Sequence, residues 1–295
     1  MAKRLRLGYQ SKTQERAEFD MSGQATAPLR LGIGGLGAIG LAVAKRVDAG
    51  LLPGFEVTAV SARDTEKAKR TLADFRKVPP ITSLAGLAEA ADVVVEGLPS
   101  SLFADIAEPA LAKGRIFMPL SVGALLNHMH LVDLAKHTGG RIIVPTGALL
   151  GLDAVRAAAE GKIESVRIIT RKPPGGLKGA PLLVEKGISV DNLKEPLRIF
   201  EGSAREAIVG FPANVNVAVA LSLAGIGPDA TRIEIWADPA VTRNTHTIKL
   251  VSDSSDLTMT IENIPSIENP RTGKITALSV LACLRRLNAP LVVGS

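Results

Sequence analysis

The chain has 295 residues, 46% of them hydrophobic and only 3% aromatic, and a formal net charge of +6. That length exceeds the ~100–200 residues of one ordinary domain, and an interior of Ala, Leu, Val and Ile suits parallel strands covered by helices. Lysines and arginines are scattered without interleaved aromatics, which argues against nucleic acid; the single Cys283 excludes an internal disulfide and a multi-cysteine metal site; and no apolar run approaches the ~20 residues of a membrane span.

Met1 to Asp20 is polar, lacks the apolar segment of a signal peptide and is followed by Met21, so residues 1–27 read as a disordered extension of a cytoplasmic protein or as the product of a misassigned start. From Leu29 an apolar run (Leu31, Ile33) enters a glycine cluster that opens into Ile39, Val43 and Val47, one face of a helix. Two registers fit G-x-G-x-x-G, one on Gly32, Gly34 and Gly37, the other on Gly35, Gly37 and Gly40. The second completes the strand before the first glycine, lets backbone approach a pyrophosphate at Gly37 and leaves Gly40 free to pack closely, with Ala38 and Ile39 opening the helix.

Pro53-Gly54 turns into a second strand, Phe55 to Val60, whose end meets the adenosine ribose in such a fold. Asp or Glu there selects NAD; this chain instead reads Ser61-Ala62-Arg63-Asp64, a hydroxyl and an arginine suited to a 2′-phosphate, although Arg63 also reads as a solvated residue at a helix start. A helix over Thr65–Phe75, a short strand near Ile81-Thr82 and a helix over Leu84–Ala90 follow. Next come a buried strand, Asp92 to Glu96, a helix over Leu102–Ala112, a strand from Ile116 to Ser121, a helix over Ala124–His137 and a strand over Arg141–Pro145. Strands alternating with helices six deep predict a doubly wound parallel Rossmann sheet in the order 3-2-1-4-5-6, spanning residues 28–150. His128 and His130 stand two apart on a predicted helix and do not face a common metal.

Past Gly151 the pattern changes to an α+β domain over 151–272. A strand (Ser165–Thr170) leads to an irregular loop (Arg171–Gly176), helices over Leu193–Phe200 and Ser203–Val209, and another through Ala224 capped by Asn214 or Asn216. Thr231–Ala237, Asn244–Ser252 and Leu257–Ile264 then read as three strands of an antiparallel meander. A last helix, 273–288, packs back on the first domain. Alternation puts His246 on the same strand face as Ile248 and Leu250; a histidine there is either a satisfied core group or a proton-transfer residue.

Several motifs resemble the L-aspartate dehydrogenase family. They are Gly35-Leu36-Gly37-Ala38-Ile39-Gly40, Ser121-Val122-Gly123-Ala124-Leu125, Gly147-Ala148, Arg171-Lys172-Pro173-Pro174, the asparagine run from Phe211 to Ala218, Asn244-Thr245-His246, and Ile264 through Asn269-Pro270-Arg271-Thr272-Gly273. The resemblance covers the chain from about residue 29 onward. It implies reversible NAD(P)-dependent oxidation of aspartate to iminoaspartate, which feeds quinolinate synthase in NAD biosynthesis or hydrolyses to oxaloacetate and ammonia. By motif, His246 is the catalytic residue, and Asn216 and Gly147-Ala148 contact the cofactor. Asn244 lies in the catalytic motif, and Arg171, Lys172, Arg243 and Arg271 are candidates for the two substrate carboxylates. Ser61 departs from the acidic ending of a strict NAD site, so dual cofactor use leaning to NADP is expected; Thr146 stands where serine is more usual. A homo-oligomer acting on a small molecule, without a metal, is the expected form. The residues leave two alternatives open, a related amino- or imino-acid dehydrogenase and a non-catalytic NADP-binding sensor.

Overall fold

The structure is a computed structural model that describes residues 27–212, 215–266, 269 and 272–294. Its first sheet is parallel: β1 (Leu29–Gly34), β2 (Phe55–Ser61), β3 (Val93–Glu96), β4 (Ile116–Pro119) and β5 (Arg141–Ile142) lie in the order β2-β1-β3-β4-β5. Residues 93–96 are buried on both faces, as a central parallel strand requires. Helices α1 (Ala38–Asp48), α2 (Thr65–Leu72), α3 (Leu84–Ala90), α4 (Phe103–Ala112), α5 (Val122–Leu125) and α6 (His130–Thr138) make the crossovers. The strand expected near Ile81-Thr82 is reduced to one parallel bridge from Ile81 to Val60, beyond β2, because Pro79 and Pro80 leave few donors for a ladder there. The helix expected over Ala124–His137 breaks between α5 and α6, where the His128 ring Nδ1 lies 2.9 Å from the Ala124 carbonyl.

After α7 (Leu152–Ala159), the second sheet is mixed. It contains β6 (Ile163–Lys172), β7 (Leu197–Ser203), β8 (Arg232–Ala237), β9 (Thr245–Ser252) and β10 (Asp256–Glu262) in the order β10-β9-β6-β8-β7. Three sequence expectations are corrected here. β6 runs on through Arg171 and Lys172, residues expected in a loop, because β8 pairs with it as far as Lys172. The segment Leu193–Phe200 is not helical: Pro196 bars a helix through it, and Leu197–Ser203 pairs antiparallel with β8. β9 and β10 form an antiparallel hairpin, but β6 separates them from β8, to which it is parallel, so the three strands are not one uninterrupted meander.

One face of this sheet packs on α7, α9 (Ala204–Gly210) and α10 (Asn216–Ala224) through Val166, Ile168, Ile233, Ile235, Ile248 and Leu250. α8 (Pro181–Glu185) lies beside α9. Ser203 and Glu206 close a capping box at the start of α9. The final helix, α11 (Lys274–Asn288), returns to the first sheet and inserts Val280, Leu281 and Leu284 beside Val43 and Val47 of α1.

Candidate active site

The carboxyl ends of the parallel strands open into a groove. β1 stops at Gly34, Gly35 takes φ +94°, and α1 begins at Ala38 with Gly37 before it. A Cβ at Gly40 would collide with the Gly35 carbonyl oxygen, whereas a Cβ at Gly37 would meet nothing within 4 Å. Main chain is therefore packed tightly below the turn and open above it, as a phosphate group approaching the helix N-terminus needs. The groove, about 890 Å³, is lined by Gly35, Gly37, Ser61, Arg63 and Lys67 on one side and by Gly97, Leu98 and Pro99 on the other. Asp64 also borders it, but its Oδ1 accepts from the Lys67 backbone N–H at 2.9 Å and caps α2.

Deeper along the same strand ends lies a cavity of about 170 Å³ that gathers residues from the whole described chain. Ile39, Leu120, Thr146, Gly147, Ala148 and Asn216 form one wall; Lys172, Asn244, His246, Asn263 and Thr276 form the other. The walls are held by specific bonds. Asn216 Oδ1 accepts from Gly123 N–H at 2.9 Å, Gly147 N–H donates to Ser279 Oγ at 3.1 Å, and Asn263 Nδ2 donates to the Ala148 carbonyl at 3.1 Å. Asn263 Oδ1 is buried and has no hydrogen-bond partner among the described residues. A bound ligand with an N–H donor would satisfy it.

Strand alternation decides which side chains of the second sheet reach the cavity. Thr170 and His246 are cross-strand partners on the helix-packed face, and Thr170 Oγ1 lies 3.0 Å from His246 Nδ1. That contact occupies one ring nitrogen and leaves Nε2 for the cavity. His246 is 3% exposed, and burial, with the Lys172 charge nearby, pushes its pKa down to about 3. Lys172, on the same face, is 6% exposed and is pushed down to about 8 by burial.

Of the residues singled out from sequence, the groove takes Gly35, Gly37, Ser61 and Arg63, and the cavity takes Ile39, Gly147, Ala148, Lys172, Asn216, Asn244 and His246. Ala38 and Gly40 lie in the first turn of α1 beneath them. Arg171 is a correction. One residue from Lys172 on a strand, it takes the opposite face, where its guanidinium bonds Asp238 Oδ2 at 2.8 Å and stacks on Trp236 at 4.8 Å. Arg243 pairs with Glu262 at 3.4 Å and does not line the cavity. Arg271 and Asn214 lie outside the described residues.

Sequence reasoning missed Asn263, Thr170 and Glu96. Glu96, 0% exposed at the end of β3, accepts from the backbone N–H groups of Leu98 (2.7 Å), Leu120 (3.1 Å) and Ser121 (2.9 Å) and from Ser121 Oγ (3.0 Å). Burial pushes its carboxyl up while these bonds oppose the rise. It ties together the loop that borders the groove and the loop that borders the cavity. The visible signal was an acid closing the hydrophobic run Val93-Val94-Val95.

Residues 35–145 match the NAD-binding domain described for homoserine dehydrogenase, and together with the groove this defines a nicotinamide-dinucleotide-binding protein. Residues 153–287 match the C-terminal domain of aspartate dehydrogenase. The chain is 55% identical to an L-aspartate dehydrogenase of Bradyrhizobium diazoefficiens over 92% of its own length and 96% of that protein's. It is 42% identical to one of Methanocella arvoryzae, covering 90% and 99% of the two chains. It belongs to the L-aspartate dehydrogenase family. The fold is also that of the aspartate dehydrogenase of Thermotoga maritima, with a TM-score of 0.68, 24% identity, and coverage of 90% and 99%.

Proposed function

We propose that the protein catalyses reversible NAD(P)-dependent oxidation of L-aspartate to iminoaspartate, which hydrolyses to oxaloacetate and ammonia or passes to NAD biosynthesis. The observation that carries this reading is the meeting of Lys172, Asn244 and His246 with Ile39, Gly147, Ala148 and Asn216 around one cavity, with the glycine groove at Gly35 and Gly37 only two residues of chain before Ile39. The groove residues would hold the adenosine half of the cofactor, with the N–H groups of Ala38 and its turn on the phosphates, and Ile39, Gly147, Ala148 and Asn216 the other half. Bound there, the cofactor supplies a two-electron acceptor.

The chain's own residues do the rest. Neutral His246, oriented by Thr170, accepts or relays the proton of the attacking water or amine through Nε2. Asn244 offers an uncharged amide to a substrate carboxylate, and Arg271 remains a candidate cation for the other. Arg63 and Lys67 with Ser61, and the commitment of Asp64 to a helix cap, support dual cofactor use leaning to NADP. We place the protein in the cytoplasm, whose reducing conditions suit a chain with the single cysteine Cys283.

Following NAD(P)H absorbance with purified protein and a panel of amino acids, and of oxo acids plus ammonia, tests this. Aspartate and oxaloacetate should be turned over well ahead of the rest. Better turnover of another amino acid, or none of any, would refute it.

A further inference from the structure

We propose that Lys172 is a second catalytic residue, whose Nζ takes the proton that the substrate's ammonium group must lose before oxidation and returns it in the reverse reaction. This rests on the aspartate-oxidation reading above and goes beyond it by dividing the proton work between two side chains.

The geometry comes from the sheet. Lys172 ends β6, directly after the pairs Thr170 with His246 and Arg171 with Thr245, and Asn244 directly precedes β9 on the other side of the last pair. Lys172, Asn244 and His246 line the cavity, and Lys172 and His246 share the buried face. A lysine needed only as a carboxylate anchor keeps its charge best where water reaches it, because a buried ammonium loses hydration. Here the burial brings the Lys172 proton within reach of neutral pH, while His246, held down to about 3, stays uncharged throughout the working range. His246 is therefore uncharged at rest, and a proton it accepts passes through it without being held at equilibrium. Lys172 holds one.

Among the described residues, the other charged groups near this pair are bonded elsewhere. On β6, Arg171 points to the opposite face and is paired with Asp238, whose backbone N–H donates to the Lys172 carbonyl. Arg243, before β9, pairs with Glu262 at the end of β10. Glu96 stands behind Leu120 with four donors on its carboxyl group. α10 and α11 contribute Asn216, Val217, Ala220 and Thr276, which do not titrate, so among the described lining residues the titratable groups are Lys172 and His246.

The need for such a base is chemical. Aspartate enters as an ammonium ion, which has no lone pair to form a carbon–nitrogen π bond. One N–H bond of the substrate breaks as a Nζ–H bond forms on neutral Lys172. The freed lone pair then becomes the C=N π bond as the Cα–H electron pair leaves for the oxidised dinucleotide. The substrate is oxidised to an iminium, the dinucleotide is reduced, and Lys172 is left as the ammonium.

Two variants and a titration test this. In the oxidative direction, wild-type kcat/KM should rise with pH along a limb centred near 8. Lys172→Arg keeps the charge but cannot give up a proton at these pH values. It should lower kcat by roughly 10²–10⁴-fold and abolish the limb, with dinucleotide affinity by calorimetry near wild type. If Lys172→Arg restores kcat, or Lys172→Met raises only the KM for aspartate, Lys172 is a carboxylate anchor and the proposal fails. The second readout needs neither turnover nor cofactor. Lysine 13Cε NMR of the wild-type protein, with the Lys172 signal identified by its loss in either variant, should give a midpoint near 8, and a midpoint at or above 10 would overturn the proposal. Absence of wild-type turnover with any amine refutes the enzyme reading and this proposal together. Robust wild-type turnover that persists in Lys172→Met refutes Lys172 alone.

Discussion

The two sheets furnish opposite kinds of surface to the same site. At the carboxyl ends of the parallel sheet the working surface is largely main chain: Gly35 to Gly37, Gly97 to Pro99 and Pro119 to Ser121 converge there, and the buried carboxyl group of Glu96 fixes two of those loops. The mixed sheet works through side chains. Thr170, Lys172 and His246 project from strand residues whose neighbours are core aliphatics. At the glycine turn the requirement is therefore that no side chain be present, whereas on β6 and β9 it is the chemistry of a particular side chain.

The sharpest way to break this contrast is at His246. His246→Ala should reduce kcat by roughly 10²–10⁴-fold while dinucleotide affinity stays near wild type, because the residue belongs to the side-chain half. Retention of full activity would make it a core histidine. The same burial has a consequence for stability. Between pH 6.5 and about 3 the unfolded chain binds a proton at His246 that the folded chain refuses, so the His246 contribution to stability is complete above 6.5 and is lost as pH falls through that window. Denaturant titrations across it should give a slope that His246→Gln flattens. An unchanged slope would mean that the folded histidine is already solvated.

On the main-chain half, Gly37→Val should leave the fold intact, since the new side chain meets open space, yet weaken dinucleotide binding by about a hundredfold. That corresponds to losing ~3 kcal/mol of charge-assisted main-chain bonds to phosphate. Wild-type affinity in calorimetry would mean that the groove serves some other ligand.

The contrast also explains what the sequence revealed. A glycine turn between an apolar run and a helical stripe is a local signal, and the alternation of strands and helices through residue 142 follows from it, down to the place of Ile81 beyond β2. The side-chain half depends on where a strand stops. Reading Arg171-Lys172 as a loop gave both cations to the site; two more residues of ladder with β8 send them to opposite faces. His246 was legible because its strand was bounded correctly. Asn263 and Glu96 were not, since their roles come from partners 115 residues away at Ala148 and 25 away at Ser121, and such pairings are set by topology rather than by local pattern. The strand at Leu197–Ser203 was hidden for a related reason: its partner among the described strands is β8, about thirty to forty positions on.

The smallest expected effect lies where the two kinds of surface meet, at the adenosine end of the groove. Ser61 leaves the end of β2 without a carboxylate, so nothing there accepts from both ribose hydroxyls and repels a phosphate. Asp64 would do so if it turned inward, but it caps α2 through the Lys67 N–H, and freeing it would cost about 1 kcal/mol. Arg63 and Lys67, which line the same groove, remain to meet a 2′-phosphate. Both are solvent-exposed, so each bond is screened and the preference stays modest. Arg63→Ala should therefore lower kcat/KM with NADP about tenfold, or ~1.4 kcal/mol, and leave the value with NAD nearly unchanged. The loss should shrink as salt is raised. Equal losses with both cofactors would make Arg63 a solvated helix-start residue, and a loss confined to NAD would put the acidic side chain of Asp64 back in control of the ribose.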